Sequence, residues 1–289
     1  MPDQTRREFM KTTAATAAAA GVLPWLASAA PGERRKPNVI ILFIDDLGYG
    51  DLGCFGNKRI PTPHIDSLAH GGVRSTMSYI TNPPCCPSRN ALMTGMYSQR
   101  FGQSGMARGL PIPEDHPTLA EFMRDAGYIT GHVGKWDIGG EDQGPQDRGF
   151  MEVAKGAPKH PRDRYYGKQR EDGSYVYRTD LVGDYMIEFV ERNKDGDQPF
   201  FLYFSPFAVH PRHEHTPEKY RNRVPGGGSH YEGAVVALDA QVGRLMATLK
   251  KHGLEKDTLI LLSSDNGAAQ FAGGSSEPYR GGKGPGTQY

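Results

Sequence analysis

From about residue 36 onward the chain alternates between short apolar runs and longer stretches with one apolar face. The run NVIILFI, Asn38 to Ile44, is apolar at nearly every position, the pattern of a strand buried on both faces. YITGHV (128–133), PFFLYF (199–204) and TLILLSS (258–264) repeat that pattern. Helical spacing separates them. PHIDSLAHGG (63–72) predicts a short helix, with Thr62 available as its cap and Pro63 in its first turn. SRNALMTG (88–95) and TLAEFMRDAG (118–127) predict two more. TDLVGDYMIEFVERNK (179–194) is a longer amphipathic helix, and YEGAVVALDAQVGRLMATLKKHG (231–253) is the longest. Strand and helix in alternation, with strands apolar throughout, predict an α/β fold: a mostly parallel sheet with helices on both faces. The charged, aromatic and irregular segment from about Gly139 to Arg178 reads as an insertion over one sheet edge.

Composition changes this picture little. The 289 residues are 37% hydrophobic, enough for a core, and 37 glycines with 22 prolines require many loops. A net charge of +1 gives no electrostatic reason to expect nucleic acid as a partner. The N-terminus adds more. TRREFMK, then an alanine-rich apolar run and Ala27-x-Ala29, describes a cleavable export signal. The pair Arg6-Arg7 followed by Phe9 and Lys11 resembles the twin-arginine type, which exports folded proteins. The predicted division is a signal at 1–29, a linker at 30–37 and one catalytic domain at 38–289. The run is too short and too rich in Ala and Thr for a stable membrane anchor, so the mature protein is expected to be periplasmic or secreted.

In open α/β sheets, ligands bind beyond the carboxyl ends of the strands. Here the first strand is followed by Asp45 and Asp46, and the second by Gly134, Lys135 and Trp136. SPFAVH, ending at His210, follows the third, while Asp265 and Asn266 follow the fourth. Any one of these is unremarkable in a solvated loop. Together they deliver three carboxylates, an amide, a lysine and a histidine to one rim. Such oxygen donors suit Ca²⁺ or Mg²⁺, and the cations beside them suit an anionic substrate. The chemistry implied is metal-assisted attack on a phosphoryl or sulfuryl centre.

A nucleophile is still needed, and PPCCPSRNALMTG (83–95) holds two of the three cysteines side by side. Adjacent cysteines bridge only with strain, so a disulfide does not explain them. CCPSR followed by NALMTG resembles the sulfatase signature C-x-P-S-R-x-x-x-x-T-G. NVIILFIDDLGYGDLGCFGN, GKW, VH, LLSSDNG and RGGKG extend the resemblance, in order, from Asn38 to about Gly284. The chain is thus similar to type I formylglycine-dependent sulfatases, arylsulfatase-like members of the alkaline phosphatase superfamily.

That resemblance implies a role for each residue. Cys85 would be oxidised by a formylglycine-generating enzyme to 3-oxoalanine, and Cys86 would be the variable position. One hydroxyl of the hydrated aldehyde would attack sulfur, and the other would expel the sulfate on returning to aldehyde. Asp45, Asp46, Asp265 and Asn266 match the ligands of a metal, usually calcium, that also contacts the modified Cys85. Arg89 matches the arginine that holds this cluster. Lys135 and Lys283 match the lysines that grip sulfate, and His210 matches the histidine near the leaving group. The implied substrate is an aryl sulfate or a sulfated carbohydrate.

Two departures stand out. The family usually has histidine two residues after the lysine of GKW, where this chain has Asp137. Asp137 is expected to be neutralised by a neighbouring cation, to stay protonated, or to turn toward another part of the substrate. His213 and His215 read as a solvated loop, with the vacant role or a small secondary metal cluster as alternatives. His64, His132, His230 and His252 read as structural. The family also normally continues beyond the position of Tyr289, through further sheet elements and a smaller C-terminal domain, so the resemblance implies an incomplete catalytic domain with an exposed strand edge. A phosphate, phosphonate or phosphodiester hydrolase on the same fold is the nearest rival reading. A non-catalytic, sulfatase-like binding protein is another.

Overall fold

The computed structural model describes residues 36–103, 110–140, 142–154, 166–169, 175–211, 213 and 215–283. The export signal expected at 1–29 and most of the linker at 30–37 lie outside the described residues. The predicted strands form as β1 (Asn38–Ile44), β2 (Ile129–Gly134), β6 (Phe200–Ser205) and β7 (Thr258–Ser264). A two-residue strand, β3 (Glu152–Val153), joins them in one five-stranded sheet of order β3-β2-β6-β1-β7. Every pairing in it is parallel. The segment read as an edge insertion therefore supplies a strand to the sheet itself. It also carries a small antiparallel ribbon of β4 (Tyr166–Gln169) and β5 (Tyr175–Tyr177).

Burial explains the continuous apolar runs. In β6 all six residues are buried, and in β1 all but one. One face carries Ile40, Leu42, Leu202 and Phe204 against α1 (Pro63–Gly71), α4 (Arg178–Asn193) and α6 (His230–Lys251). The other carries Ile41, Phe43, Phe201 and Tyr203 against α2 (Cys85–Thr94) and α3 (Leu119–Asp125). The remaining helix, α5 (Glu218–Arg221), is a single turn beside α6. β7 alternates half-buried with exposed residues, and Leu259 and Leu261 are about half exposed. Among the described residues β1 alone pairs with it.

Helix starts differ from the pattern in two places. The first helical residue of α2 is Cys85, not Ser88, with Pro84 as N-cap, so both cysteines sit in its first turn. Pro87 is tolerated there because first-turn N–H groups have no intrahelical partner. Thr62 does not cap α1. Its hydroxyl donates to Asp66 Oδ1 at 3.0 Å and accepts from Gly53 N at 2.9 Å. The cap comes from another helix: Asp239 Oδ1 of α6 accepts from His64 N and Ile65 N at 3.0 and 2.9 Å. Local pattern could not reveal a cap 174 residues away.

Packing across β2 is tight enough to demand glycine. A Cβ on Gly131 would lie 2.2 Å from the ring of buried Phe189 on α4. Gly131→Ala is expected to destabilise the fold by about 1–3 kcal/mol through overpacking, measured by urea unfolding. An unchanged midpoint would show that α4 can shift away freely.

Candidate active site

The site is assembled where β1, β2, β6 and β7 end. Asp265 N donates to Ile44 O at 2.9 Å, which locks the end of β7 to the end of β1. Successive side chains on a strand point to opposite faces. Asp46 escapes that alternation because its φ is +64, a left-handed value that aspartate tolerates better than most residues. Asp45, Asp46 and Asp265 consequently share one buried cluster with Cys85, their ligand atoms all within 4.8 Å of one another. Cys85 Sγ lies 3.4 Å from Asp45 Oδ1. Asn266 Nδ2 donates to Asp46 Oδ1 at 2.8 Å, which puts the fourth predicted ligand against the same carboxylate.

Cations surround the cluster. Arg89, fully buried on α2, donates through Nε and Nη2 to Asp265 Oδ2 at 3.0 and 2.6 Å. Its Nη1 contacts Tyr203 Oη at 3.3 Å and donates to Ser205 Oγ, and the guanidinium lies over the Phe43 ring. Lys135 Nζ donates to Asp45 Oδ2 at 2.8 Å and lies 3.4 Å from Asp137 Oδ2. Gly134 makes that approach feasible. Its φ is +111, and a Cβ there would strike Ser205 O at 2.0 Å. Lys135 N can then donate to that same carbonyl at 2.6 Å. Lys283 Nζ reaches both oxygens of Asp46 at 2.7 Å, and His210 Nε2 is 4.0 Å from Asp46 Oδ2.

The electrostatics follow from crowding without water. Burial would raise Asp45, but Lys135 and Arg89 outweigh it and hold this carboxyl well below the usual range. Burial, then the charge of Asp45, pushes Asp46 up to about 7 and Asp265 up to about 6. Burial would lower Lys135, but Asp45 dominates and keeps it firmly charged. Burial, reinforced by Asp45 and Asp265, drives the Cys85 thiol far above its ordinary range. Carboxylates that resist ionising together, all oxygen donors and all turned to one point, fit a hard divalent cation.

The predicted site residues Asp45, Asp46, Cys85, Arg89, Lys135, Asp137, His210, Asp265, Asn266 and Lys283 thus form one constellation. His213 is placed differently: Nε2 lies 2.8 Å from Val209 O and its ring meets Tyr231 edge-on. Sequence reasoning missed the supports of Arg89. Tyr203 and Ser205 interrupt an apolar strand two residues apart, and that spacing was the available signal. It also missed Asp51, which accepts from Gly48 N at 2.8 Å, from Ser275 N at 2.9 Å and from Tyr231 Oη. Through it the loop after β1 is tied to the segment leading to Lys283.

A parallel sheet whose carboxyl edge gathers a cation-ready acidic cluster, a buried cysteine and two lysines paired with those carboxylates matches the alkaline-phosphatase-like class. The chain belongs to the sulfatase family, whose model matches residues 37–288. It is 30% identical to the steryl-sulfatase of Rattus norvegicus over 90% of this chain and 61% of that protein. To arylsulfatase A of Homo sapiens it is 32% identical, over 86% of this chain and 56% of the relative. It also superposes on the solved structure of Ps i-CgsB in complex with k-i-k-neocarrahexaose, with TM-score 0.75 and 31% identity, covering 86% of this chain and 63% of that one. The chain therefore spans less than two thirds of these relatives.

Raised carboxyl values carry a definite sign. Asp46, Asp265 and buried Asp51 (pushed up to about 6 by burial) contribute stability below the unfolded carboxyl value, which is lost as pH rises through about 6 to 7. With a chelator present, Tm is expected to fall between about pH 4 and pH 7. Calcium should restore it, with the larger gain at the higher pH because protons compete for the same oxygens. Differential scanning calorimetry measures both, and a calcium gain independent of pH would contradict this assignment.

Proposed function

We propose that this chain carries the catalytic centre of an exported sulfuric-ester hydrolase acting on a sulfated carbohydrate or aryl sulfate. The observation that carries this reading is Cys85, buried among Asp45, Asp46 and Asp265 with Lys135 and Lys283 beside them. As a thiol in that setting it is a poor source of thiolate. As the first cysteine of C-x-P-S-R it is the residue that a formylglycine-generating enzyme would convert to 3-oxoalanine, whose hydrate supplies a hydroxyl nucleophile.

Asp45, Asp46, Asp265 and Asn266 would hold calcium, or magnesium as the alternative hard cation. The bound ion supplies Lewis-acid polarisation of the sulfate and of the nucleophile. The protein's own groups do the rest. Lys135 beside Asp45 and Lys283 beside Asp46 are held charged, and they would bind sulfate oxygens and offset charge that develops on the ester oxygen. His210, partly exposed beside Asp46, would give a proton to the departing alcohol. Arg89 fixes the orientation of Asp265 through two hydrogen bonds. Twin-arginine export of the folded, matured protein to the periplasm or beyond completes the reading.

Mass spectrometry of the tryptic peptide Ser75–Arg89, from a host with maturation machinery, is expected to show an aldehyde in place of the Cys85 thiol. The same preparation should release sulfate from sulfated sugars. Cys85→Ala should remove at least about a thousandfold of that activity, on the scale of losing a covalent nucleophile. An unmodified thiol, beside a control sulfatase converted in the same cells, would overturn the proposal.

A further inference from the structure

The turn after β2 carries Lys135 into the site, and no helix or strand holds that turn in place. Gly134, Asp137 and Gly139 have φ values of +111, +48 and +70, all left-handed. Such a turn has no repeating backbone ladder, so its buried N–H groups need partners from elsewhere. Lys135 N donates to Ser205 O at 2.6 Å, and Trp136 Nε1 donates to Gln143 O at 2.7 Å. At the far end Gly139 is buried, and its N–H donates to Asn90 Oδ1 at 3.1 Å. Asn90 belongs to α2, the helix that bears Cys85 and Arg89.

Asn90 is itself fixed. It is fully buried, so both ends of its amide need partners. Its Nδ2 donates to Gln103 Oε1, which leaves Oδ1 for Gly139. Gln103 Nε2 in turn reaches Cys86 Sγ at 3.0 Å. The second cysteine of the pair, which the sulfatase reading leaves over, thereby ties these bonds to the first turn of α2. Ser98 Oγ donates to Gln103 O at 3.1 Å and accepts from Asn82 Nδ2 at 3.0 Å. Ser98 and Gln103 are buried as completely as Asn90. A connected buried network is costly to rearrange and so specifies one geometry. Ile138 of the turn and Met93 of α2 share one apolar cluster, but apolar burial is non-directional, whereas the amide sets the register.

We propose that Asn90 is a positioning residue that holds the Lys135 turn in register with Cys85 and Arg89. The role rests on the sulfatase reading above for what Lys135 grips, and it adds the device that sets lysine and nucleophile at a fixed separation. Among the described residues, the side chain of Asn90 bonds to Gly139 and Gln103, with Cys86 Sγ at 4.0 Å, and not to the acidic cluster. Its effect passes through Gly139 to the turn, and through the turn to Lys135.

The test reads sulfate affinity and the looseness of the turn separately. Inorganic sulfate is titrated calorimetrically into calcium-loaded Cys85→Ala and Cys85→Ala/Asn90→Ala. The double variant is expected to bind about tenfold more weakly, the scale of one misdirected charge-assisted contact. Thr118→Ala in the same background is the stability control: it removes the cap of α3, and its side chain bonds to Glu121 and Arg148, not to the turn. It should leave the sulfate Kd unchanged. In a Trp25→Phe background Trp136 is the one tryptophan of the chain. Its fluorescence, recorded well below Tm, should be quenched more readily by acrylamide in Asn90→Ala and not in Thr118→Ala. If Asn90→Ala does not fold, Asn90→Ser is read in the same way. Sulfate binding with an unchanged Kd in the Asn90 variant, or an equal loss in Thr118→Ala, overturns the proposal and leaves the sulfatase reading intact. No sulfate binding by calcium-loaded Cys85→Ala overturns the sulfate-gripping role of Lys135. Quenching of Trp136 then decides alone: an increase confined to the Asn90 variant upholds the positioning role, and no increase removes it.

Discussion

Like-charge crowding at the end of β1 is the constraint to which the surrounding structure answers. Asp45, Asp46 and Asp265 lie within one small, fully buried volume, where each raises the cost of ionising the next. Such a cluster persists only if compensating charge is delivered by rigid elements. Arg89 is delivered by α2, Lys135 by the turn after β2, and Lys283 by the segment that Asp51 and Ser275 clamp to the loop after β1. The uneven outcome, Asp45 held low while Asp46 and Asp265 are pushed up, marks where permanent cations suffice and where a metal ion is called for.

The scaffold serves this arrangement through its parallel sheet. All the described strands of the main sheet run the same way, so their carboxyl ends fall on one edge and residues far apart in the chain become neighbours. Arg89 bonds to Asp265 across 176 residues, and Lys283 to Asp46 across 237. The core beneath is dry on both faces of β1 and β6, which fixes the strand ends against one another. Strand ends held this firmly let close-packed charges stay at hydrogen-bonding distances without collapsing into mutual avoidance.

Asp137 extends the ionic network around Lys135. Lys135 bonds to Asp45 at 2.8 Å and lies 3.4 Å from Asp137, so the two carboxylates share one ammonium.

Much of this protein was legible from its sequence. Apolar runs such as NVIILFI and PFFLYF identify buried parallel strands because no other element is apolar on both faces over so few residues. Asp45, Asp46, Lys135, His210 and Asp265 then fall at strand ends, and the C-x-P-S-R spacing names Cys85 and Arg89. The start of α2 at Cys85, the capping of α1 by Asp239, the roles of Tyr203 and Ser205, and the Asp51 clamp were decided only by tertiary structure. Each depends on partners brought together by sheet order, and hydrogen-bond partners separated by a hundred residues or more leave no local periodicity. The same holds for Asp137. The sequence shows a carboxylate two residues after a lysine, but only the left-handed turn and its pins place that charge against the ammonium that Asp45 already shares.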